Sequence, residues 1–81
     1  MPRDHILVRV VGCTNPKEAW HFAAAALAFR VRGEIEFIST AHTGNRRLVF
    51  GCWVESCAFH GEFTTTIEGV EITVFRCEPE R

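Results

Sequence analysis

The chain has 81 residues, of which 47% are apolar and 23% charged, at a formal net charge of −1. That length holds one domain, spanning 1–81, around one core. The composition excludes a disordered chain, and the near-neutral charge removes any global pull toward nucleic acid or anionic lipid. The charge is uneven, +3 over residues 1–47 and −4 over residues 48–81. Such a split can steer head-to-tail association or one charged partner, although blocks this short differ as much by chance.

Taken in chain order, residues 5–12 read as a strand rich in Val, Ile and Leu, with Ile6, Val8 and Val10 on one face. The other face mixes Leu7 and Val11 with Arg9, the pattern of a central strand covered on both sides. Thr14-Asn15-Pro16-Lys17-Glu18 is the strongest local signal. Asn15 suits a helix N-cap, Pro16 the first helical position, and Glu18 the first turn, where it opposes the helix dipole. The spacing predicts a helix over residues 16–31, stopped by Gly33. Residues 34–41 alternate and predict a half-buried strand, and residues 42–45 a turn. Residues 46–55 form the next predicted strand, with Leu48, Phe50, Cys52 and Val54 on one face and Val49 and Trp53 on the other. A connection follows over residues 56–61. Residues 62–67 and 70–77 then form a hairpin around Glu68-Gly69, a two-residue turn whose glycine permits positive φ. Residues 78–81 are a polar tail. The fold class is α+β, in the order β-α-β-β-β-β, with a single helix packed on a mixed, largely antiparallel sheet. The first two strands are expected to pair in parallel through a right-handed helical crossover.

The predicted helix is apolar on two sides. Trp20, Ala23, Ala24, Leu27 and Val31 fall in the stripe expected to face the sheet, while Phe22, Ala25, Ala26 and Phe29 fall opposite, where charge is expected. Either the C-terminal hairpin covers this second face or another molecule does, and a contiguous exposed apolar patch marks a contact site. Phe22, Ala25, Ala26 and Phe29 are therefore the candidate partner-binding residues, and a symmetric helix-to-helix homodimer is the simplest geometry.

Other constellations carry weaker signals. Cys52-x4-Cys57-x2-His60, with a fourth ligand from Cys77, Cys13 or His42, is the nearest approach to a zinc site, but it lacks paired CxxC units, and Cys52 alternates like a core residue. Cys57 and His60, with Glu62 to orient the imidazole, are the nearest approach to a nucleophile and its base. The glycines form no phosphate loop. Arg30 and Arg32 at the helix end, with Arg46 and Arg47 beside a turn, are the candidate nucleic-acid contacts. Met1-Pro2-Arg3-Asp4-His5 does not open like a signal peptide, and the longest uncharged run, residues 19–29, is about half a membrane span. The expectation is a cytoplasmic protein that is not an enzyme and needs no cofactor.

The run Val8-Arg9-Val10-Val11-Gly12-Cys13-Thr14, followed by an alanine-rich helix and Ile35-Glu36-Phe37, resembles about half the layout of the small flavin-binding dodecins. The resemblance implies an element order that oligomerises around its helix. It does not extend to flavin, because the strand after the helix lacks the tryptophan that stacks on the cofactor, and a further hairpin follows. In size and plainness the chain is also similar to compact phage-encoded antagonists such as anti-CRISPR proteins. The sequence thus points to a small stand-alone protein-interaction module, of inhibitor or adaptor type, that binds a protein partner or a second copy. The alternative is a small nucleic-acid-binding domain, with or without a structural zinc.

Overall fold

The computed structural model describes residues 3–28, 30–57 and 61–76. Strand β1 (Asp4–Val11) leads into helix α1 (Pro16–Leu27), a two-residue strand β2 (Val31–Arg32), and the hairpin of β3 (Glu36–Gly44) and β4 (Arg47–Val54). The short β5 (Ser56–Cys57) and the hairpin of β6 (Glu62–Ile67) and β7 (Val70–Arg76) complete the chain. Five strands form one sheet in the order β3-β4-β1-β7-β6, and β2 pairs with β5 in a separate ribbon. One helix on a mostly antiparallel sheet is the α+β fold that the alternation predicts.

The order of strands differs from the expectation in one respect. β1 pairs antiparallel with both β4 and β7, so it does not pair with the strand that follows the helix. β3 runs in the same direction as β1, but β4 lies between them. The crossover therefore skips one position, which the returning hairpin fills.

Directly opposed residues of an antiparallel pair share a face, so the register assigns the two sides of the sheet. Ile6, Val8 and Val10 of β1 stand beside Cys52, Phe50 and Leu48 of β4 and beside Arg76, Val74 and Ile72 of β7. All of these except Arg76 are buried, and with Ala19, Ala23, Ala26 and Leu27 of the helix they form the core. Three of the four helix residues in that core are alanines, which lets the helix axis lie close to the sheet. The opposite face carries His5, Leu7, Arg9 and Val11 of β1 with Trp53 and Val49 of β4 and Phe75 of β7. Expected to be covered, these side chains are only half-buried, while Thr73 beside Arg9 is buried at 2% exposure.

The helix begins as predicted. Lys17 N–H and Glu18 N–H donate to Asn15 Oδ1 at 2.9 and 3.3 Å, and Pro16 occupies the first turn. It ends four residues earlier than predicted. Arg30 N–H donates to the Leu27 carbonyl, and Val31 and Arg32 pair with Cys57 and Ser56 instead of extending the helix. Gly33, at φ +79°, turns the chain out of this ribbon rather than capping the helix. Asp4 secures the same end of the sheet, accepting from Cys57 N–H at 3.1 Å and pairing with Arg76 at 3.3 Å. Among the described residues no helix is long and apolar enough to cross a membrane.

Candidate interaction surface

Among the described residues, the helix carries one buried apolar arc. At about 100° per residue, its buried arc is centred on Ala19, Ala23, Ala26 and Leu27. Trp20 and Phe22 flank that arc on either side, both packed against the core. Ala26, expected outside, is only 3% exposed. Ala25 is exposed and shares the outer side with Lys17, His21 and Ala28, while Phe29 lies outside the described residues. Phe22 and Ala25 line a hollow of about 330 Å³ with Glu18, His21, Ile67 and Glu68. Of the expected docking residues, the structure therefore brings two together, in a hollow bordered by two carboxylates.

The larger apolar exposure is on β3. This edge strand is exposed at every position, and Phe37 and Ile38, 49% and 45% exposed, are the large hydrophobic residues left open among the described ones. Phe37 shares the helix side of the sheet with Cys52, and a register shift between Phe37 and Ser39 throws Ile38 out of the ladder. Trp20, Phe37 and Phe50 meet edge to face, with ring centroids 5.4 to 6.0 Å apart and interplanar angles of 61° to 70°. These rings, with Pro16, Lys17 and Thr40, line a groove of about 320 Å³ between the start of the helix and the edge strand. The sequence carries a signal for this edge. After Phe37 and Ile38, the run Ser39-Thr40-Ala41-His42-Thr43 is polar or small on both faces, as a strand without a neighbour requires.

The four arginines do not converge. Arg46 sits in the β3–β4 turn at φ +56°, where its Nη2 donates to the Gly12 carbonyl and its own carbonyl accepts from Gly12 N–H. Arg47 stands opposite Val11 at the same end of β1. Arg30 packs over the Phe63 ring at 4.5 Å, and its Nη1 donates to the Ala26 carbonyl at the end of the helix. Arg32 pairs with Ser56, next to the Cys57 that binds Asp4, at the far end of β1. Arg32 is thus separated from Arg46 and Arg47 by the length of β1, roughly 25 Å, while Arg30 over Phe63 sits level with Val8 at mid-strand, on the far side of β7. Elsewhere, on the open sheet face, Arg3 lies over Trp53 and Arg9 over Phe75, at 5.6 and 5.5 Å from the ring centroids.

The cysteines are placed as hydrophobes. Cys52 is fully buried in β4, and burial pushes its thiol up to about 11. Burial does the same at Cys57, helped by the Asp4 carboxylate. A raised thiol value disfavours the thiolate that both metal ligation and nucleophilic attack require. His60 and Cys77 lie outside the described residues, and no cluster of three or more potential ligands occurs among the described ones. Comparison with family models, with curated proteins and with solved structures finds no match.

Proposed function

We propose that the chain is a protein-interaction module, of inhibitor or adaptor type, that docks through β3 and the Trp20–Phe37–Phe50 groove. The observation that carries this reading is an edge strand of nine residues, exposed throughout, that keeps two large apolar side chains in the open. Edge strands are ordinarily blunted, because their unpaired N–H and C=O groups template association. A partner strand laid along β3 gains main-chain hydrogen bonds, and an apolar side chain set into the groove adds selectivity. Lys17 at the rim favours a partner with a carboxylate beside that apolar residue. The separation of Arg30 and Arg32 from Arg46 and Arg47 speaks against the nucleic-acid alternative, because phosphate contacts gain from a contiguous basic track.

The test compares Phe37→Asp/Ile38→Asp with Ala25→Glu on the outer helix side, each first shown to fold by circular dichroism. Partner capture should be lost with the β3 pair and retained with Ala25→Glu. The reverse pattern moves docking to the helix and rejects the β3 reading.

A further inference from the structure

The sheet has two edges, and they differ in charge. β6 begins at Glu62 and is followed by Glu68 in its turn, so it is acidic at both ends. Laying a second β6 antiparallel beside it would set carboxylate against carboxylate. β3 is polarised. Glu34 and Glu36 lie at its start, and His42, Arg46 and Arg47 lie at or just beyond its end. Two copies of β3 placed antiparallel bring each acidic end beside the other copy's basic end, twice by symmetry.

On this basis we propose that the occupant of the β3 edge is β3 of a second copy, joining two five-stranded sheets into one continuous sheet about a two-fold axis at Thr40. The inference rests on reading β3 as the docking edge. The segment available for pairing is Ser39–His42 by register: these four residues face Gly51, Phe50, Val49 and Leu48 in unbroken order, between the shifts at Phe37/Ser39 and His42/Gly44. It holds no proline and no Asp, Glu, Lys or Arg, the residues that ordinarily protect an edge. A two-fold axis normal to the sheet keeps both helices on one side. Thr40 lines the aromatic groove, so the two grooves adjoin across the seam and the exposed Phe37 rings flank it.

The charge pairing has a specific geometry. Glu36 and Arg47 lie on the same, open face of the sheet, since Glu36 stands opposite Trp53 and Arg47 opposite Val11. Arg47 also stands opposite Gly44, which has no side chain to intervene. A strand pair centred on Thr40 sets Glu36 of one copy against Gly44 of the other, within reach of that copy's Arg47. Glu36 already accepts a bond from Arg3 and remains exposed, while Glu34 and Arg47 have no ion partner among the described residues.

Sedimentation velocity of the full chain across a concentration series tests this. Wild type should dimerise. Glu34→Lys/Glu36→Lys and Arg47→Glu should each weaken the dimer by about tenfold or more, since each turns two attractive contacts into repulsive ones. Combining all three substitutions should restore the dimer. The restoration excludes misfolding as the cause of the loss. A wild type that stays monomeric, or a dimer indifferent to these substitutions, overturns the proposal. A monomeric wild type that still captures a foreign partner through Phe37 and Ile38 rejects the dimer and leaves the docking edge intact. A dimer that persists in Phe37→Asp/Ile38→Asp and ignores the charge changes rejects both.

Discussion

Among the described residues, two non-glycine residues adopt positive φ, Arg46 at +56° and Glu68 at +49°, and each sits in a hairpin turn. The two turns are held differently. Arg46 is fixed from outside by its two bonds to Gly12, 34 positions away. Glu68 is followed by Gly69 at φ +80°, giving the two left-handed central residues of a type I′ turn. Glutamate gains nothing in that conformation, whereas asparagine tolerates it through its short polar side chain. Glu68→Asn should therefore stabilise the protein by a few tenths to about 1 kcal/mol, read as a higher urea midpoint with an unchanged slope. The same contrast explains which turn was legible. Glu68-Gly69 announces itself locally. The β3–β4 turn was expected one or two residues early, over residues 42–45, because the partner that holds Arg46 is remote in sequence.

At the scale of elements, the helix start was legible because Asn15 and Pro16 act within one turn, whereas the helix orientation was not. Alanine satisfies either a packed or an open position, so a helix rich in it leaves its rotation to tertiary contact. The sheet resolved that ambiguity by taking Ala19, Ala23 and Ala26 inward, which turned Phe22 onto the flank instead of the outer side. Ala23 is fully buried where the helix crosses the sheet, and Ala25 is exposed. Ala23→Leu should thus cost about 1–3 kcal/mol, because a larger side chain lifts the helix from β1 and β7. Ala25→Leu should change stability by less than about 0.5 kcal/mol, as an exposed substitution does. Both rotations agree on Ala23 and Ala25, so Ala26 separates them. Placed on the outer side by periodicity but only 3% exposed, it should cost as much as Ala23 when replaced by leucine, read by chemical denaturation. The candidate docking surface was equally hidden, since Phe37 and Ile38 look like ordinary strand residues until the sheet order leaves β3 without an outer neighbour.

For the whole molecule, the core is a single layer of side chains between one helix and one face of the sheet, and it encloses thiols. Cys52 is fully buried, and burial raises its value from 9.0 to about 11. In the unfolded chain the same thiol ionises near its ordinary value. Between these limits the native state holds a proton that the unfolded state has released, so unfolding is favoured as the proton becomes scarce. The contribution of Cys52 is therefore fully present below about pH 9 and is lost progressively as pH rises toward 11. Cys57, half-buried and raised to a similar value, acts in the same direction. Urea midpoints measured from pH 7 to pH 11 should be level at first and then fall, by an amount on the order of 2 kcal/mol attributable to Cys52 at the alkaline end. Cys52→Val keeps the site apolar and removes the titrating group, so its profile should fall less steeply over the same interval. Equal alkaline slopes for wild type and Cys52→Val would mean that the thiol does not sense the core, and that the layer between helix and sheet admits water at β4.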